Sequence, residues 1–136
     1  MLAVIDTNVL LVSISERSKY HWLYKAIVEN RYSIAITHDI LIEYEEKIGQ
    51  HWHPDVAANV IRTLLELPNV KLATSYFSLN IITADPDDNK FVDCAFASNA
   101  DYIVTNDSDF NALKKINFPV IKVVNMDAFK DIVQQL

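Results

Sequence analysis

Glycine is almost absent: Gly49 stands alone in 136 residues. A phosphate-cradling glycine-rich loop and a dinucleotide fingerprint each need several glycines, so both are excluded. Cysteine is equally scarce. A lone Cys94 rules out an internal disulfide and a cysteine-based zinc cage. No apolar run approaches the ~18 residues of a membrane span. The opening Met1-Leu2-Ala3-Val4-Ile5 meets Asp6 at once and lacks a basic flank, unlike a signal peptide. A cytoplasmic protein is therefore expected. Prolines occur only at 54, 68, 86 and 119, each suited to an element boundary. No serine sits in a nucleophile-elbow motif.

What is present is a core and an unevenly placed charge. Hydrophobic residues make up 51% of the chain, too many for disorder. The length suits a single domain over residues 1–136 that buries roughly two-thirds of its unfolded surface. The net charge is −6. All of it falls between residues 85 and 109, where Asp85, Asp87, Asp88, Asp93, Asp101, Asp107 and Asp109 face one base, Lys90. The remainder of the chain is neutral.

Hydrophobic periodicity predicts alternating strands and helices. Strands are expected over 2–5, 33–37, 70–74, 102–105 and 120–124. Helices are expected over 19–30, 39–48 (stopped near Gly49), 54–67, 87–97, 110–115 and 127–135. The strands are nearly unbroken apolar runs, which suits burial on both faces. The fold class that follows is α/β: a three-layer α/β/α sandwich around a mostly parallel sheet of four to five strands. In such sheets function gathers at the C-terminal ends of the strands, where strand order reverses.

Those ends are acidic. The first strand runs into Asp6-Thr7-Asn8, and the strand over 102–105 into Asn106-Asp107-Ser108-Asp109. The helix before that strand opens with Asp85-Pro86-Asp87-Asp88-Asn89-Lys90, and Glu43 lies about one turn into the helix after the second strand. Crowded carboxylates repel, and leaving them buried and unpaired costs several kcal/mol. Lys90 alone cannot neutralise the set. A hard divalent ion such as Mg²⁺ or Mn²⁺ can. The chemistry this suggests is hydrolysis of a phosphodiester, the ion activating water and offsetting charge on the leaving oxygen.

Taken singly, most of these acids have simpler explanations. Asp39, Asp55, Asp87 and Asp127 suit helix starts, where carboxylates cap and complement the dipole. His51-Trp52-His53 reads as loop, since a metal site needs more ligands. His21 and His38 read as surface or capping residues, and Cys94 as a small core residue. Only the joint pattern of Asp6, Glu43, an acid of the 85–88 cluster and Asp107 favours a functional centre.

Four blocks also resemble one family. They are Ala3-Val4-Ile5-Asp6-Thr7-Asn8-Val9-Leu10-Leu11, Thr37-His38-Asp39-Ile40-Leu41-Ile42-Glu43-Tyr44, Asp85 to Phe91, and Ala100 to Phe110. In this order they resemble the PIN-domain nucleases, and most nearly the branch described as toxin components of toxin–antitoxin pairs. The resemblance implies a parallel α/β/α sandwich with Mg²⁺- or Mn²⁺-dependent endonuclease activity, mainly on single-stranded RNA. By position it implies metal ligands at Asp6, Glu43, Asp88 and Asp107, with Asp109 an accessory acid. Asn8 and Thr105 resemble the family's polar supports. Homo-oligomers and a cognate antitoxin partner are further implications. The choice among Asp85, Asp87 and Asp88 stays open; Asp88 fits best, and Asp93 is left as an outer group. The family often has glycine where this chain has Asn99 and Asn106, but asparagine tolerates left-handed turns.

RNA contacts normally come from lysine and arginine. Arg17, Lys19 and Lys25, with Lys114 and Lys115, could form a basic rim for RNA. Two other classes compete with a ribonuclease. One is a catalytically inactive interaction module that keeps the fold. The other is a phosphatase or phospho-acceptor domain, ranked low because Asn8 stands where an Asp-x-Asp start would need an acid.

Overall fold

The computed structural model describes residues 1–76, 78–117 and 120–136. Five strands form one sheet: β1 (Leu2–Ile5), β2 (Ser33–Ile36), β3 (Val70–Leu72), β4 (Tyr102–Val104) and β5 (Val123–Val124). The order is β3-β2-β1-β4-β5, and every neighbouring pair is parallel. Ala3, Val4 and Ile5 are each 0% exposed. Successive strand side chains point to opposite faces, so helices must cover both faces of the sheet at β1. This is the α/β/α sandwich the sequence predicts.

The helices are α1 (Thr7–Ser13), α2 (His21–Val28), α3 (His38–His51), α4 (Pro54–Glu66), α5 (Asn89–Ser98) and α6 (Met126–Gln134), with 3-10 helices over Pro86–Asp88 and Ser108–Lys115. Apolar stripes explain them. Ile40, Tyr44 and Ile48 of α3 are buried, as are Ala57, Val60, Ile61 and Leu64 of α4. The Tyr44 hydroxyl donates to the Ile5 carbonyl, which ties α3 to the end of β1.

Several boundaries differ from expectation. Helix α1 has no counterpart in the sequence reading. Gly49 does not stop α3, which continues to His51. It lies where α4 folds back: a Cβ there would sit 3.7 Å from Ala57 Cβ, and tertiary contact overrides the low propensity of one glycine. His51 thus belongs to α3, while the His53 ring accepts the Asp55 N–H at 3.0 Å and caps α4. Pro54 opens α4 and Pro86 a 3-10 helix, as expected of boundary prolines, whereas Pro119 lies outside the described residues. The last strand is only Val123–Val124 rather than 120–124, and the 110–115 segment is 3-10 rather than α.

Candidate metal centre

Strand order reverses between β1 and β4, and the candidate acids gather at that point. The Asp6 N–H donates to the Val104 carbonyl at 3.0 Å, so Asp6 follows directly on the paired ends of the two strands. Its carboxylate is nearly buried, at 6% exposure. The Thr105 hydroxyl donates to Asp6 Oδ2 at 2.8 Å. The same hydroxyl accepts the Asp107 N–H at 3.0 Å, which turns the chain after β4. Asp107 Oδ1 then accepts the Asp109 N–H at 2.9 Å and starts the 3-10 helix.

Asp88 stands at the N-cap position of α5 without a side-chain capping bond, and it reaches the same centre. Asp88, Asp107 and Asp109 each offer a carboxylate oxygen, all within 4.8 Å of one another. Asp88 Oδ2 is buried and has no hydrogen-bond partner. Burial above all, then the charges of Asp85, Asp6 and Asp107 and a hydrogen bond with Asp107, push Asp88 up to about 7. Burial also raises Asp6, helped by the charges of Asp107 and Glu43 and opposed by the Thr105 bond. Of the acids at 85, 87 and 88, then, Asp88 joins the cluster. Asp85 accepts the Asp87 N–H as a local cap, and Asp87 meets Lys90.

Glu43 is placed differently. Its Oε2 accepts the Thr7 hydroxyl, and its Oε1 accepts Lys90 Nζ at 2.8 Å. Lys90 also donates to Asp87 Oδ2 at 3.1 Å. Burial lowers the Lys90 value, and the bonds to Glu43 and Asp87 more than reverse it. The charge of Glu43 acts on Asp6, and both acids stand outside the close trio of Asp88, Asp107 and Asp109.

The remaining expected residues divide. Thr105 is buried and central, as described, whereas Asn8 is exposed on α1. Asp93 Oδ1 accepts the Leu79 N–H at 3.0 Å and anchors the segment before the centre. Asn99 adopts the left-handed conformation, with φ 54°. Asn106 does not; its Oδ1 instead accepts the Met126 N–H at 3.0 Å at the start of α6. Arg17, Lys19, Lys25, Lys114 and Lys115 are all exposed, and Lys25 lies 3.8 Å from Glu29 in a surface pair.

A cleft of about 830 Å³ opens beside the centre, with Glu43, Asp87 and Lys90 on the shared edge. None of the five rim bases lines it. Two further residues, absent from the sequence-based set, contribute. Buried Asn89 accepts the Ile82 N–H and donates to the Ile82 carbonyl, both at 2.8 Å, so the chain preceding Asp88 is clamped. Thr7 holds Glu43 across 36 positions of sequence. Their polarity beside acidic motifs is the only signal the sequence carries for either.

The donor set suits a hard divalent ion: carboxylate oxygens only, one of them buried and unpartnered. Fold and site together define a parallel α/β protein with an acidic centre at its topological switch point. The chain belongs to the PIN-domain family, whose sequence profile (PIN domain) matches residues 3–109. It is also similar in fold to a chain in the crystal structure of VapBC2 from Rickettsia felis bound to a DNA fragment from their promoter. That likeness has a TM-score of 0.63 at 19% identity and covers 92% of this chain and 98% of that one. No curated protein is significantly similar in sequence. No helix among the described residues is long and apolar enough to cross a membrane.

Proposed function

We propose that the protein is a Mg²⁺- or Mn²⁺-dependent endoribonuclease that hydrolyses phosphodiester bonds of single-stranded RNA. The observation that carries this reading is the convergence of Asp88, Asp107 and Asp109 within 4.8 Å of one another beside buried Asp6. A divalent ion bound there supplies an activated water and neutralises charge on the leaving oxygen. Asp6, Asp88 and Asp107 hold the ion, Asp109 assists, and Glu43 completes or tunes the site. Thr105 fixes the direction of the Asp6 carboxylate. Asn8 is close in sequence and exposed, free to meet substrate. Arg17, Lys19, Lys25, Lys114 and Lys115 are the candidate phosphate contacts, and their effect should weaken with salt.

Family membership supports nuclease chemistry, and the likeness to a VapBC2 chain supports a toxin role with a cognate antitoxin partner; a cytoplasmic location is proposed with that role. Homo-oligomers fit the same reading. The test is cleavage of end-labelled single-stranded RNA by the purified protein with Mn²⁺ or Mg²⁺. EDTA and Asp88→Asn should each stop it. RNA left intact by the wild-type protein with either ion would overturn the nuclease reading in favour of a non-catalytic interaction module.

A further inference from the structure

Glu43 and Lys90 come from α3 and α5, 47 positions apart, and meet at 2.8 Å with side chains only 16% and 18% exposed. Charge-assisted bonds in such partial burial are strong, because competing water is scarce. The second Glu43 oxygen is taken by the Thr7 hydroxyl. Both oxygens of this carboxylate therefore already have a donor. Asp88 differs: its Oδ2 is buried without one. Asp88, Asp107 and Asp109 form a close trio that includes neither Glu43 nor Asp6; what sets Glu43 apart from Asp6 is its pairing with a lysine.

A cation seeking oxygen ligands would take the unpartnered ones first. To recruit Glu43 it would have to break the ion pair and leave the Lys90 ammonium facing another positive charge. We propose that Lys90 is a positioning residue that holds Glu43 outside the inner donors of the divalent ion, as a fixed anionic acceptor at the edge of the cleft. Asp87 steadies Lys90 from the other side, at 3.1 Å. The lysine thus divides the acids of the centre into two groups, one bound to the ion and one bound to protein.

The activity arm of the test rests on the nuclease reading; the metal-affinity arm does not. The intact protein is titrated with Mn²⁺ by calorimetry, and single-stranded RNA cleavage is measured at saturating Mn²⁺. The double variant Lys90→Met/Glu43→Gln removes one charge of each sign. Its Mn²⁺ dissociation constant should stay within about threefold of wild type, since the net field at the ion is nearly unchanged. Its cleavage should fall about tenfold or more, because the fixed anionic acceptor at the edge of the cleft is gone. Lys90→Met alone should bind Mn²⁺ about threefold or more tightly, having lost a nearby cation. Lys90→Arg should keep cleavage within about threefold, as a permanent cation still reaches Glu43.

Mn²⁺ bound about tenfold or more weakly by the double variant, at unchanged melting temperature, would place Glu43 among the inner donors and overturn the proposal. Unchanged cleavage by Lys90→Met would do the same for the positioning role. Should the double variant not fold, Lys90→Met decides alone: tighter Mn²⁺ binding supports the proposal and weaker binding overturns it. If the wild-type protein cleaves no RNA, the nuclease reading fails, and the Mn²⁺ titrations still decide which oxygens bind the ion.

Discussion

The Thr105 hydroxyl donates to Asp6 Oδ2 at 2.8 Å, joining the residues that directly follow β1 and β4. Because that hydroxyl also accepts the Asp107 N–H, one side chain orients two acids of the centre. Thr105→Val keeps the shape and removes both bonds. It leaves a buried carboxylate oxygen and an N–H without partners. The expected loss is about 1–3 kcal/mol of stability, read by urea denaturation, together with slower cleavage. Unchanged stability would mean that water replaces the hydroxyl without cost.

Asp6 is held in place against its own electrostatics. It is buried, and Asp107 and Glu43 raise its pKa through like charge. Asp6→Asn removes that repulsion and can still accept from Thr105. RNA cleavage should fall to background, while the metal-free melting temperature stays the same or rises. A metal-free loss of about 4 °C or more would instead make Asp6 a structural residue.

Metal should act as a stabilising ligand of the folded chain. Only the folded chain gathers Asp6, Asp88, Asp107 and Asp109. Saturating Mn²⁺ at about 100 times its dissociation constant should add about 2.7 kcal/mol. The gain should disappear in Asp88→Asn, followed by thermal denaturation with and without EDTA.

Much of this centre is legible in the sequence because a parallel sheet has a simple rule for where its loops converge. Asp6 and Asp107 follow apolar runs and could be placed by period and boundary alone, whereas period and boundary lead only to the 85–88 cluster and do not choose Asp88 within it. Helix α1 could not be placed. Its Val9-Leu10-Leu11-Val12 is a short unbroken apolar run with no helical period to read, and its N-cap Asp6 makes no side-chain capping bond. That carboxylate is committed to Thr105 instead. The Lys90–Glu43–Thr7 linkage was hidden for a different reason: it depends on the approach of α1, α3 and α5. One lysine is too little charge for the whole acidic segment, yet it is enough for the one carboxylate it touches. Asn106 shows the limit of reading an asparagine by its tolerance of left-handed turns, since here its side chain rather than its backbone does the work.

That side chain gives a separate test. Asn106 Oδ1 accepts the Met126 N–H at the first residue of α6, where helix N–H groups lack internal partners. Asn106→Ala should cost about 1 kcal/mol. Asn106→Gly should cost as much or more, because the backbone there is not left-handed and glycine adds unfolded-state entropy. At Asn99, with φ 54°, the order reverses, and Asn99→Gly should be tolerated better than Asn99→Ala. Chemical denaturation of the four variants checks both orders.

The shifted Asp88 sets the sign of a pH dependence in the metal-free protein. Its carboxyl rises from 3.8 in the ordinary case to about 7 in the fold. Between those values the unfolded chain has released a proton that the folded chain retains, so stability must fall as pH rises through the window. Below the lower value both states are protonated and the penalty vanishes. Metal-free protein should therefore melt at a higher temperature at about pH 5.5 than at about pH 7.5. Asp88→Asn should flatten the difference by removing the titrating group. With saturating Mn²⁺ the trend should reverse, because the ion favours the ionised carboxylate and competes with the proton. A wild-type melting temperature that rises with pH in EDTA, matched by Asp88→Asn, would show that Asp88 is ionised throughout this range.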